Sequence, residues 1–453
     1  MIDSYFSEEN LTEIFDTKIS SINTKGIDKL RPVNFEKIKS DEIIKIRNRV
    51  KDGQYFFSPY LEILKLKGRH KNPRILASPT IRDKITLTAL KNLLHGLYPE
   101  SIPNTLANKL VSNIKKDIQD NKFRYFYRTD ITSFYNEINR EKLLEKLENK
   151  ISDESILGLI EKSISNEVIP SSDSKRNRRK YFEKRGVPQG LPTSNILAQI
   201  YLRQIDLYFS NKNYKYYRFV DDILIISSKP VFIYALDLRF KLFQLNLKIN
   251  KSKTEKGHLQ NSFGFLGYKF KNSEVSLAES QITKFISRIS GKFTWYKRGI
   301  ENPESRPDWL ISDLALFQEV FLNELNEKIT GAISENKRYG WMFYFIEIDD
   351  VSILYRIDNI IKSFFSGISS FENKPPAKLK SIVKTYFDIK YNKAAKYVHN
   401  YNRYTNIKEK HDFLVQRGKL NPSIEYSKVQ IERIFEKYKN KRISILERDI
   451  GYY

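Results

Sequence analysis

Tyr216-Tyr217-Arg218-Phe219-Val220-Asp221-Asp222-Ile223-Leu224-Ile225-Ile226 sets two adjacent carboxylates between two apolar runs. Aromatic and β-branched residues on both sides favour extended chain, so the pair reads as the tip of a hairpin. Two like charges at such a tip repel unless a cation sits there. An ordinary polar turn is the plainer alternative. A second pair, Asp349-Asp350, also follows an apolar run, FYFIEI. It precedes DVSILYRIDNIIKSFF, where Ile353, Leu354, Ile357, Ile360, Ile361 and Phe364 recur at helical spacing. There an Asp is expected as a helix N-cap.

The first pair differs in its company. Arg128-Thr129-Asp130-Ile131-Thr132-Ser133-Phe134-Tyr135 ends a strand-like run (RYFYRTDI) on one Asp and turns into a segment with two aromatics. Gly186-Val187-Pro188-Gln189-Gly190-Leu191-Pro192-Thr193-Ser194-Asn195 is rich in turn residues and feeds an apolar helix, ILAQIYLRQIDLY. After the pair come NKSKTE, from Asn250 to Glu255, and Phe263-Gly264-Phe265-Leu266-Gly267-Tyr268. Upstream, LEILKL and RILASP flank a loop at Lys67 to Pro73, a basic hairpin that leads into a helix from Ile81.

Between Phe123 and Phe270 strands therefore alternate with helices, expected near Arg140 to Lys150, after Pro192, and near Val231 to Leu245. This predicts an α+β domain on an antiparallel sheet. From about Ser280 the pattern is mainly helical. Residues 1 to about 60 are weakly periodic, with breakers at Gly26 to Asp28 and Asp52-Gly53, and little function can be read there.

The 453 residues, 40% hydrophobic and 13% aromatic, are enough for a sizeable core and exclude a disordered chain. Seventy-nine Lys and Arg against 54 Asp and Glu leave a net charge of +25, which points to a polyanionic partner. Compositional drift toward Lys, Asn and Ile is the competing explanation. With no Cys there is no disulfide, no thiolate zinc site and no Cys nucleophile. A reducing cytoplasm is the expected location. The start, MIDSYFSEENLTEIF, has no basic segment followed by an apolar one, and no run of about 18 apolar residues occurs, so neither an export signal nor a membrane span is expected.

In order, the four segments and the Asp pair resemble motifs A, B, C, D and E of the reverse transcriptase palm, with FVDD standing where that family usually has YxDD. Gly68 to Asp83 (GRHKNPRILASPTIRD) resembles its fingers motifs, so the resemblance runs from about Tyr60 to Tyr268. It implies a right-hand polymerase: an N-terminal segment at 1–60, fingers at 61–125, a palm at 126–270, and a helical thumb with a C-terminal extension at 271–453. It also implies two Mg²⁺ ions, with Mn²⁺ as an alternative, held by Asp130 and Asp221, with Asp222 as an auxiliary carboxylate. Tyr135 would lie under the sugar and exclude a 2′-OH, Gln189 would contact the incoming dNTP, and Arg74, with Lys65 or Lys67, would neutralise its triphosphate. Lys253 would be the general acid for pyrophosphate, with Lys251 as the near alternative. Phe265 to Tyr268 would form the primer grip. The run Lys175-Arg176-Asn177-Arg178-Arg179-Lys180 is either a solvated loop or a holder of template phosphates.

Absences narrow the family. Without Cys, a Cys-ligated zinc endonuclease of the kind found in many group II intron proteins is not expected. Motif B reads PQG where diversity-generating enzymes carry SQ, and the NAxxH signature of retron enzymes is missing. The stretch Arg338 to Ile357 (RYGWMFYFIEIDDVSILYRI) is most similar to the defence-associated, abortive-infection (AbiK-like) reverse transcriptases of bacteria. That likeness implies an RNA template or noncoding RNA, a DNA product, a homo-oligomer as one arrangement, and in some members a protein hydroxyl as primer. Tyr452 and Tyr453, beside Gly451 at the chain end, are candidates for that hydroxyl. A retron or group II intron-like enzyme is the alternative, and a polymerase fold that binds nucleic acid without catalysis is the alternative of another class.

Overall fold

The computed structural model describes residues 2–20, 22, 25–66, 72–103, 106–120, 122–170, 185–210, 212–306, 310, 313–392 and 396–450. The chain divides into two compact units: Met1–Thr105 with Lys122–His258, and Leu106–Asn121 with Leu259–Tyr453. Helix and strand are mixed in both. No helix among the described residues is long and apolar enough to cross a membrane.

The strands of the first unit are β1 (Tyr60–Lys65), β2 (Arg74–Ser78), β3 (Tyr125–Asp130), β4 (Val168–Ile169), β5 (Lys215–Phe219), β6 (Asp222–Ser227) and β7 (Glu255–His258). β5, β6, β3 and β7 form, in that order, an antiparallel sheet. β6 is central, and its run Ile223 to Ile226 is fully buried, which is why it reads as continuous apolar sequence rather than as alternation. β1 and β2 make the expected antiparallel hairpin, and the two-residue β4 adds parallel to β1.

Six longer helices complete this unit: α1 (Lys39–Lys51), α2 (Ile81–Leu97), α3 (Arg140–Glu148), α4 (Glu154–Ser165), α5 (Ser194–Ser210) and α6 (Phe232–Gln244). Their apolar faces share one core with Tyr127 of β3 and with Ile223 and Ile225 of β6. α2 starts at Ile81 because the Thr80 hydroxyl accepts the Asp83 N–H at 3.2 Å. Asp83 is buried and satisfied in turn by the Tyr55 hydroxyl (2.8 Å), the Ser58 N–H (3.0 Å) and the Thr80 hydroxyl (2.7 Å). The N-terminal residues, weakly periodic as sequence, supply real core: Ile43, Ile46 and Val50 of α1 are buried.

The second unit begins with a meander, β8 (Phe263–Phe265), β9 (Tyr268–Lys271) and β10 (Glu274–Leu277). Leu266 and Gly267, both at positive φ (52° and 81°), form the tight turn between β8 and β9. Helices follow: α7 (Glu279–Glu301), α8 (Leu314–Thr330), α9 (Ser352–Ser363), α10 (Ile382–Tyr391), α11 (Ile407–Gln416) and α12 (Lys428–Ile450). The helix Ala107–Gln119 also belongs here, although its chain neighbours lie in the first unit.

The N-cap of α9 is Val351, not an Asp as expected, and it makes no side-chain capping bond; Asp350, one residue earlier, accepts the Ser352 N–H at 3.0 Å. Asp349 serves otherwise: it pairs with Lys115 and accepts the Val275 N–H at 3.0 Å. A buried ion cluster ties α12 to α8. Arg442 lies 3.1 Å from Glu327 and 3.4 Å from Glu324, and the Tyr401 hydroxyl donates to Glu327 at 2.7 Å.

Candidate active site

β3 ends on Asp130 and β6 begins on Asp222, and the antiparallel register sets these two residues directly opposite each other. Cross-strand partners share a face of the sheet. Asp221 occupies the turn before β6, where its carbonyl accepts the Ile131 N–H at 3.1 Å. Three carboxylates separated by about ninety residues of sequence are thereby gathered at one end of two adjacent strands.

The turn that presents Asp221 is strained. Val220 has φ +56°, a conformation β-branched residues rarely adopt. Arg218 holds it, donating from Nη1 to the Val220 carbonyl at 2.8 Å. Arg218 is in turn fixed by α5: Nε donates to Asp206 Oδ1 at 2.7 Å and Nη2 to Gln199 Oε1 at 2.7 Å, and the Tyr216 hydroxyl also reaches Asp206 at 3.1 Å. The motif reading did not single out Arg218, Asp206 or Gln199. The available signal was a charged residue inside an otherwise aromatic strand, next to the Asp pair.

Burial raises Asp221 to about 7, with the charges of Asp130 and Asp222 adding to it. Asp222 is also raised, first by burial and then by Asp130, against the opposing pull of Arg128 and Lys253. Lys253 places Nζ 2.6 Å from Asp130 Oδ2, and Asn250 Nδ2 lies 3.4 Å from the same oxygen. Asn250 also caps the 3₁₀ turn Lys251–Lys253 that carries the lysine, accepting the Ser252 N–H at 3.2 Å.

Hard oxygen donors of one sign, held partly out of water, are the chemistry a small divalent cation requires. Among the described residues no three His, Asp or Glu side chains are arranged as a preformed metal cage. That is compatible with Mg²⁺, which commonly takes one or two carboxylates and completes its shell with substrate phosphates and water. Asp130 and Asp221 fit such a partial donor set.

Beside the carboxylates, the loop after the fourteen undescribed residues 171–184 is pinned on two sides. Gly186 and Val187 donate to the carbonyls of Ile138 and Tyr135, each at 2.8 Å, and Arg140 Nε donates to the Gly186 carbonyl at 2.8 Å. On the other side the Gln189 carbonyl accepts the Ala77 N–H of β2 at 2.6 Å. Gly190 has φ +100°, and a Cβ there would lie 3.0 Å from the Ala77 carbonyl oxygen. The loop thus links Tyr135, half-buried after the left-handed Ser133, with Gln189 and the strand that starts at Arg74. Arg74 and Lys65 face each other across β1 and β2 as direct partners in register.

The structure therefore brings Asp130, Asp221, Asp222 and Lys253 together and joins the segments of Tyr135 and Gln189. Phe265 to Tyr268 lie in the second unit, at the β8–β9 turn. Lys67, Lys175 to Lys180, Tyr452 and Tyr453 lie outside the described residues.

Residues 64–270 match the family described as reverse transcriptase (RNA-dependent DNA polymerase). An uncharacterized 91 kDa protein in cob intron of Schizosaccharomyces pombe is 31% identical over 192 residues, 40% of this chain and 22% of that protein. The group II intron-encoded protein LtrA of Lactococcus lactis subsp. cremoris is 28% identical over 206 residues, 43% of this chain and 32% of LtrA. The chain thus matches no more than about a third of the length of these relatives. Telomerase from Candida Tropicalis in complex with a TWJ fragment of telomeric RNA superposes with a TM-score of 0.42 at 14% identity, over 94% of this chain and 66% of that one. The corresponding Candida albicans complex gives 0.41 at 13% identity, over 86% and 69%. At these scores the structural likeness carries no weight beside the sequence match. The match to the reverse transcriptase (RNA-dependent DNA polymerase) family, over residues 64–270, spans all the residues clustered above.

Proposed function

We propose that the protein is a reverse transcriptase-type DNA polymerase that adds deoxynucleotides to a hydroxyl, with Asp130 and Asp221 holding two divalent cations. The observation that supports it most is the convergence of Asp130, Asp221 and Asp222 on adjacent strand ends, with Asp221 held near neutrality in the absence of a cation. Two Mg²⁺ ions bound there would activate the attacking hydroxyl and stabilise the leaving pyrophosphate. Asp222 adds negative field to the site. Lys253, whose Nζ pairs with Asp130, neutralises that carboxylate and would donate the proton to the leaving group.

Around this centre Tyr135 floors the sugar site, and the pinned loop aims Gln189 at the nucleotide. Arg74 and Lys65, direct cross-strand partners on the β1–β2 hairpin, would take the triphosphate. The β1–β2 hairpin serves as fingers, the four-stranded sheet as palm, and the helical second unit includes the thumb.

The family match favours an RNA template, and the intron-encoded relatives favour a group II intron-like enzyme as the second reading. A role in bacterial antiphage defence rests on the stretch Arg338 to Ile357 alone. Priming by Tyr452 or Tyr453 belongs to the same reading.

The test is dNTP incorporation by Asp130→Asn and Asp221→Asn, which keep side-chain size and remove a cation-binding charge. Each should lose at least about 10³-fold in rate while melting as a folded protein. Near-normal incorporation in Mg²⁺ by both would refute the mechanism. Phage plating on cells carrying wild type or Asp221→Asn separates the biological roles: protection lost with the variant supports defence, and no protection by either opposes it.

A further inference from the structure

Helix α6 is apolar on two sides. Its inner side sends Leu238 and Leu242, both fully buried, into the core of the first unit. Its outer side carries Phe232, Ile233, Leu236, Phe240 and Phe243, exposed by 61%, 72%, 49%, 57% and 67%. Steps of four, four and three residues from Phe232 to Phe243 keep these side chains on one stripe along the helix. α6 follows the end of β6 that lies away from Asp222, so the polymerase site has no use for the stripe.

Three phenylalanines and two aliphatic side chains at these exposures present on the order of 600 Å² of apolar surface. A monomer seldom leaves more than a few hundred Å² contiguous and open. Twice that area reaches the lower end, about 1,200 Å², of what stable interfaces bury.

We propose that this stripe is a self-association surface, closed by α6 of a second copy running antiparallel. The spacing of its residues is self-complementary. A two-fold axis crossing the helices at the level of Leu238 sets residues equally far from 238, in opposite directions, at the same height. Leu236 then stands level with Phe240 of the second copy, and Ile233 level with Phe243 of the second copy. Each of these two layers sets a ring against an aliphatic chain, the large-against-small packing that fills space without voids, while Phe232 stands level with Gln244 of the second copy. A parallel pair would instead stack ring on ring and aliphatic on aliphatic. The net charge of +25 fixes the sign of the salt effect: like-charged copies repel, so screening strengthens their association. Copies bridged by nucleic acid behave oppositely, because salt weakens phosphate contacts.

The test is sedimentation of the full chain after nuclease treatment, at micromolar concentration, from low to 0.5 M salt (on the order of the range that spans screening). Wild type should form a dimer that tightens as salt rises. Phe240→Lys should weaken it by about 100-fold while keeping its circular dichroism and melting transition. A monomeric wild type or a dimer unaffected by Phe240→Lys would each overturn the proposal. So would an assembly that nuclease or salt dissolves. A monomer that instead binds phosphatidylcholine and phosphatidylserine vesicles through the stripe would assign the surface to lipid.

Discussion

Asp221 is a carboxylate placed where its own ionisation is unfavourable. Its value rises from 3.8 to about 7, by burial first and then by Asp130 and Asp222, so the folded protein holds a proton that the unfolded chain releases. The linkage is then definite in sign: this group's stabilising protonation is complete below about pH 4 and is lost as pH rises to about 7. Asp221→Asn cannot ionise. In chelator it should gain on the order of 1–2 kcal/mol over wild type at pH 8, after allowing for solvent at the site, and nothing near pH 4. Calorimetry at both values checks this; equal melting temperatures at pH 8 would show that the site does not strain Asp221. Tyr135 makes a separate claim on substrate. On the proposed role of Tyr135 under the sugar, Tyr135→Ala should raise ribonucleotide over deoxynucleotide use by at least about tenfold. An unchanged ratio in a folded variant removes the sugar-gate role.

The pinned loop carries its own prediction. Gly190→Ala would put a methyl group 3.0 Å from the Ala77 carbonyl at a backbone angle L residues avoid, displacing Gln189. A cost of about 1–3 kcal/mol and a higher KM for dNTP should follow; a KM equal to wild type would dissociate Gln189 from nucleotide binding. Much of this level was legible in sequence, because strand alternation and turn residues are local: β3, β5, β6 and the β1–β2 hairpin lie where the apolar runs and breakers put them. What the sequence left open depends on contacts between distant segments. Lys253, rather than its neighbour Lys251, reaches Asp130 because a 3₁₀ turn capped by Asn250 points it there. The Arg218–Asp206 pair joins a strand to a helix, and the charge inside an aromatic strand marks Arg218 without naming its partner. The outer side of α6 was hidden by its composition, since apolar residues on both faces read simply as core.

For the molecule as a whole, the excess of 25 positive charges should govern nucleic-acid binding. Log affinity should fall linearly with log salt, by at least about tenfold between 50 and 200 mM. A flat response in a filter-binding titration would show that the charge does not contact phosphate. The assignment of helix Ala107–Gln119 to the second unit lies beyond sequence reading, since only tertiary packing removes it from its neighbours. The ion cluster around Glu327 has a consequence for how the protein is made. Glu327 precedes Arg417 by 90 residues and Arg442, its nearer counter-charge, by 115, so during translation its carboxylate waits roughly 6–23 s for that closer partner. A buried carboxylate without that partner costs about 3–5 kcal/mol, a large share of a domain's stability. The first unit, complete by His258, can therefore fold on the ribosome while the second stays open until Arg442 emerges. Translation order thus builds the four-stranded sheet before the helical unit closes.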